Sequence, residues 1–98
     1  MTDTESITVI VKLPGLVTCK LQSHLEDTPE LKIRWTSKNA GRGSQVIIVA
    51  SGEDAKELAE YFKGEGEFYM GQGMQDGCYA EGRAMLTASE RINLALSN

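Results

Sequence analysis

Residues 31–63 read LKIRWTSKNAGRGSQVIIVASGEDAKELAEYFK. Leu31, Ile33 and Trp35 alternate with Lys32, Arg34 and Thr36, the period-2 pattern of a half-buried strand. SKNAGRGS (37–44) is rich in turn formers and basic residues, so the next strand is expected to return antiparallel. Gln45 to Ala50 is apolar on both parities, as a central strand covered on both faces, or at an interface, would be. Ser51 then stands as a helix N-cap, with Asp54 at N3 as a capping-box variant and Glu53 near the positive end of the dipole. Ala55, Leu58, Ala59 and Phe62 form one apolar stripe, Lys56 and Glu60 pair on the far side, and Gly64 sits where a C′ residue is expected. The stretch predicts strand, turn, strand and a helix over 53–63.

On the N-terminal side, Ile7, Val9, Val11 and Leu13 alternate with Thr8, Ile10 and Lys12, which predicts another strand after a loose tail at 1–4. Pro14-Gly15 supplies the central residues of a type II turn, and Val17, Cys19 and Leu21 alternate with Thr18, Lys20 and Gln22. The expectation is a β-hairpin, left through the polar acidic loop SHLEDTPE (23–30).

On the C-terminal side, glycines fall at 64, 66, 71, 73 and 77. Phe68-Tyr69-Met70 could pair as a strand, with Asp76-Gly77 turning into Cys78-Tyr79-Ala80. Glu81 to Leu86 reads equally as continued strand or as the start of a helix. Thr87 with Glu90 makes a capping box, so the last helix is expected from Ala88, presenting Ala88, Ile92, Ala95 and Leu96 on one side. Together these readings predict one α+β domain over 1–98: an antiparallel sheet of four or more strands, packed on one face by two helices.

Composition narrows the function classes. Ninety-eight residues can bury about 65% of the unfolded surface, enough for a core without metal or disulfide staples. A net charge of −4 argues against wholesale coating of nucleic acid or anionic membrane. MTDTES has no basic n-region and no apolar segment behind it, which with the absence of a long apolar run predicts a cytoplasmic protein with no membrane partner. Cys19 and Cys78 match no metal or redox spacing and read as buried thiols, with one disulfide as the alternative. One histidine and two distant cysteines do not make a metal site, and no cofactor is implied.

Catalytic chemistry has one candidate, His24, beside Glu26 and Asp27, for which Ser23 or a cysteine would have to serve as nucleophile. No motif of an activated serine or cysteine surrounds it. The glycines around 64–73 follow a helix and alternate with Glu65 and Glu67, the opposite of a phosphate cradle. Ala40-Gly41-Arg42-Gly43-Ser44 lacks a P-loop lysine.

Charge is distributed by strand parity. Lys12, Lys20, Lys32 and Arg34 all fall opposite the apolar set, and Lys38 and Arg42 extend the positive sign into the adjoining loop. Segment 31–44 holds four basic residues and no acid, whereas 51–67 holds six acids and two lysines. Three readings follow: a solvated face whose lysines discourage edge pairing, a phosphate-backbone contact surface, or a face for an acidic protein or for a second copy. Trp35 shares parity with Leu31 and Ile33, so it points to the core and offers nucleic-acid bases no stacking platform. Ile10, Ile47 and Val49 lie on the basic parity, as at an interface.

The sequence therefore points to a small, acidic, non-enzymatic protein-binding domain. It would act as a regulator or inhibitor of a larger macromolecule, and it is expected to self-associate as a homodimer or larger homo-oligomer. Its contacts would be Lys12, Lys20, Lys32, Arg34, Lys38 and Arg42 with the 37–44 loop. The alternative is a nucleic-acid-binding regulator using the same residues. Small phage-encoded proteins that disable host factors share this size and composition, an analogy that carries no motif.

Overall fold

The computed structural model describes residues 6–41, 43–71 and 78–97. The elements run β1 (Ser6–Pro14), α1 (Gly15–Asp27), β2 (Ile33–Ala40), β3 (Gly43–Ser51), α2 (Gly52–Gly71) and α3 (Cys78–Ser97). The architecture is α+β, and the sheet is antiparallel as expected. Among the described residues it has three strands in the order β1-β3-β2, not four or more.

β3 pairs antiparallel with both neighbours, so β1 and β2 run parallel to each other with β3 inserted between them. Parallel strands need a long crossover, and α1 supplies it. This overturns the expected hairpin at Pro14-Gly15. Val17 and Leu21, which fit a strand's alternation, are also four residues apart, and a helix buries both while leaving Cys19 exposed. Leu25, packed against the core one turn further on, completes the helical stripe within what the sequence suggested was a loop. Pro14 ends the strand, and its carbonyl accepts a hydrogen bond from Thr18 Oγ1 at 3.2 Å.

β2 and β3 form the expected antiparallel pair, but the strands run further than the sequence suggested. Only 41–42 intervene, with Gly41 at φ 73°, a conformation glycine adopts freely. Most of the anticipated 37–44 loop is therefore strand.

α2 begins as predicted: the Asp54 N–H donates to Ser51 Oγ at 3.3 Å. It then passes straight through Gly64 and absorbs Phe68-Tyr69-Met70, which the sequence also allowed as a strand. Its buried stripe of Ala55, Leu58, Ala59, Phe62 and Gly66 meets α3, which starts at Cys78, ahead of the expected Ala88. Gly66 and Gly82 are the reason both helices persist here. A Cβ on Gly66 would lie 2.8 Å from Leu86 Cγ and 3.0 Å from the Gly82 carbonyl, and one on Gly82 would lie 3.1 Å from the Gly66 carbonyl. The glycines allow a close helix crossing, and its packing offsets the ~1 kcal/mol that each costs relative to alanine inside a helix. Thr87 and Glu90 lie inside α3 and cap nothing. Ser89, buried in the crossing, donates to the Ala59 carbonyl at 2.8 Å. The Asp76-Gly77 turn lies outside the described residues.

One layer of helices covers one sheet face. The core gathers Ile7, Val9, Val11 and Leu13 from β1 and Val46, Ile48 and Ala50 from β3. Val17 and Leu21, Leu58 and Phe62, and Met85 and Ile92 meet them from the helices. Trp35 packs against this core from β2, as its parity predicted. α3 lies along β1 and α2 along β3, leaving β2 with little helical cover.

Candidate functional site

The face of the sheet away from the helices is an array of three rows, fixed by register. Thr8, Val49 and Arg34 form one row, Ile10, Ile47 and Thr36 the next, and Lys12, Gln45 and Lys38 the third. Side chains alternate across a strand, so every one of these points away from the core set. Ile10 is 48% exposed. Ile47 and Val49 are half-buried by their neighbours alone, and Lys12, Arg34 and Lys38 are exposed. The result is an apolar diagonal of Ile10, Ile47 and Val49, bordered by three cations with no carboxylate among the nine residues. No aromatic side chain belongs to the array. A shallow cavity of about 400 Å³ opens on it, lined by Arg34, Thr36, Ile47 and Val49 of the array and by Trp35.

Three of the six basic residues anticipated for a contact surface thus share one face: Lys12, Arg34 and Lys38. They do so although β1 and β2 are not neighbours, because β3 preserves the parity of both. Lys32 stands exposed just before β2, and its backbone N–H donates to Asp54 Oδ2 at 3.3 Å. Arg42 lies outside the described residues. Lys20 leaves the sheet altogether. It sits on α1, its Nζ 3.7 Å from Glu65 Oε1 and 5.1 Å from the Tyr69 ring centroid. The Tyr69 side chain, and to a lesser degree Glu65, raise its pKa against the opposing effect of burial.

Lys20 belongs to a second surface, the groove between α1 and α2. Here the His24 ring stacks on Tyr61 at 3.7 Å between centroids and 9° between planes. Burial raises the Tyr61 pKa, and Glu65 adds to the effect. Cys19, Ser23 and Asp27 complete a cavity of about 390 Å³. Cys19 is an exposed free thiol, contrary to the expected buried one, and the side chain of Cys78 lies outside the described residues. Among the described residues no hydrogen bond joins His24 to Ser23 or Cys19. None of their His, Cys, Asp and Glu side chains gather as three potential metal ligands. Tyr61, Glu65 and Tyr69 went unread as neighbours of Lys20 and His24. Their four-residue spacing, set against the same spacing of Lys20 and His24, becomes visible only once 15–27 is taken as a helix.

Among the described residues, no helix is long and apolar enough to cross a membrane. Comparison with protein-family models, with curated proteins and with solved structures finds no match for this chain.

Proposed function

We propose that this chain is a non-enzymatic binding domain of the cytoplasm that regulates or inhibits a larger macromolecule by seating its open sheet face on an acidic protein surface. The observation that carries this reading is the array itself. Ile10, Ile47 and Val49 form a contiguous apolar strip that no described helix covers, and every charge among the nine residues of the array is positive. An apolar centre with a charged border is how interfaces are built, and carboxylates on the partner would meet Lys12, Arg34 and Lys38. A catalytic reading has less support, because the groove holding His24 shows a stacked ring and no nucleophile bonded to it. A nucleic-acid reading lacks an aromatic on the face for bases to stack on.

A photo-crosslinking residue at position 10, compared with one at the exposed Glu57 on α2, tests the proposal in the native lysate. The expected result is crosslinking to protein from position 10 alone, lost in a Lys12→Glu/Lys38→Glu variant. Equal crosslinking from both positions overturns it. Self-association would join this face to the acidic outer side of α2 in a second copy, a head-to-tail contact that grows with concentration. Light scattering that finds a strict monomer at high concentration removes that version.

A further inference from the structure

The two edges of the sheet are not alike. On β1, Arg91 of α3 donates from Nη1 to the Ile10 carbonyl at 3.4 Å, and α3 runs along the strand. The β1 edge is therefore occupied at Ile10, midway along the strand. That bond also fixes the phase of the whole ladder. In an antiparallel sheet the N–H and C=O of one residue point to the same side, and successive residues alternate. If Ile10 points outward, Val9 and Val11 face β3, their partners Ile48 and Val46 face β1, and Ile47 and Val49 face β2. Their partners Thr36 and Arg34 then face β3, and Trp35, Ser37 and Asn39 point their main-chain groups out of the sheet. The inward N–H of Lys32, bonded to Asp54 beyond the end of β3, agrees with this phase. Among the described residues nothing bonds to that outer edge. Ser37, Lys38 and Asn39 are exposed in succession, so this half of β2 is open on both faces as well as along its edge.

An unguarded eight-residue edge is an invitation to another strand. Arg34 and Lys38 decide which strand. They lie on the same face, two rows apart with Thr36 between them. Pairing β2 with its own copy about Thr36 sets Arg34 directly against Lys38, and other registers still gather four cations on one strip, which like-charge repulsion disfavours. A strand bearing carboxylates opposite Arg34 and Lys38 turns the same positions into attractive pairs. Area points the same way. At ~4.8 Å between strands and ~7 Å between rows, the array spans roughly 300 Å², well short of the ~800 Å² per partner of a standard interface. A partner that uses the face must extend past it, and the β2 edge adjoins it.

Resting on the binding reading above, we infer that the free edge of β2 recruits an extended acidic segment of the partner by strand addition, with main-chain bonds to Trp35, Ser37 and Asn39 and carboxylates over Arg34 and Lys38. Strand addition takes its affinity from the main chain and its selectivity from alternate side chains. In an antiparallel partner, the residues opposite Lys38 and Arg34 are acids four apart. The residue opposite Trp35 is apolar, and a β-branched one suits the place opposite Thr36.

The test is a titration of the full chain, followed by amide NMR, with the peptide Ac-Gly-Glu-Thr-Val-Val-Glu-Gly-NH2. Its lysine counterpart, a form N-methylated at the amides that would face β2, and a (dT)10 oligonucleotide are run in parallel. The expected result is saturable binding of the acidic peptide alone, with slowed exchange at the Trp35 and Ser37 amides. Binding should weaken about tenfold on N-methylation and by a similar factor in an Arg34→Glu/Lys38→Glu variant, both positions being exposed and tolerant of change. Equal binding of the N-methylated peptide, with shifts confined to Ile10, Ile47 and Val49, overturns strand addition and leaves the face reading standing. Shifts in neither region overturn both. Binding of the oligonucleotide with the peptide silent gives the surface to nucleic acid. Concentration-dependent protection of Trp35 and Ser37 without peptide assigns the edge to a second copy.

Discussion

β3 presents Val46, Ile48 and Ala50 to one side and Ile47 and Val49 to the other, and the two sides have different fates. Ile48 is 2% exposed beneath the helices. Ile47, its neighbour in sequence and its equal in chemistry, has only other strands around it. Residue type does not separate these positions. What separates them is that the helix-covered face finds its complement within the chain, in Leu58, Phe62, Met85 and Ile92, and the open face does not. The covered face should therefore hold the stability and the open face the recognition, and substitutions on each can break that division.

Phe62, among the largest fully buried side chains, should matter most. Phe62→Ala is expected to cost about 3–5 kcal/mol in urea unfolding, through lost burial and the cavity left behind. A loss below about 1 kcal/mol would mean that the helix layer is not the seat of stability. Gly66→Val tests the crossing behind that layer. It drives a branched side chain against Leu86 and the Gly82 backbone, and a loss of about 2–3 kcal/mol is expected from the same measurement. An unchanged midpoint would show that the helices can part without penalty. Ile47→Thr should cost less than about 1 kcal/mol, since it keeps a β-branched residue on a half-buried surface. Crosslinking from position 10 should nevertheless fall. The Phe62→Ala/Ile47→Thr double variant should be additive within about 0.5 kcal/mol, as residues on opposite sides of a sheet share no partner. Larger coupling would collapse the distinction between the faces.

The sequence was legible where two signals agreed. In β1 period and residue type agreed, and in β3 an unbroken apolar run of strand-favouring residues followed a turn signal. In the first half of α2 an apolar stripe followed a cap whose Ser51 to Asp54 bond is in place. It misled where a pattern served two periods. Val17 and Leu21 satisfy both strand and helix, and the tie was broken by Leu25, outside the window that the Pro14-Gly15 pair seemed to close. It misled again at Gly64, read as the end of a helix that in fact runs on through Gly66 to Gly71, because a glycine that ends a helix and one that lets another helix approach are the same letter. Of the candidate face, parity alone assembled Lys12 and Arg34 with Ile10, Ile47 and Val49, and Lys38, read as loop, joined them because β2 runs on to Ala40. Parity placed Lys20 wrongly, because Lys20 lies on an element that is a helix and not a strand. Which edge of β2 lies bare depends on strand order, and the insertion of β3 between β1 and β2 has no local signature.

That insertion also sets a schedule. Ala50 is the partner of both Ile7 and Ile33, so β1 leaves the ribosome long before the strand that will hold it. Its row of Ile7, Val9, Val11 and Leu13 must wait while 15–51 is made. β2 and β3 can zip locally around Gly41, whereas closing β1 onto them requires ordering a far longer stretch of chain. The hairpin should therefore form first and the docking of β1 should be the slow step. Trimming β3 where it serves both neighbours, as in Ile48→Val, should slow refolding in stopped-flow measurements rather than only hasten unfolding. In the interval the free edges of β2 and β3 are both bare, and the cations at Arg34 and Lys38 keep one nascent chain from pairing with the next.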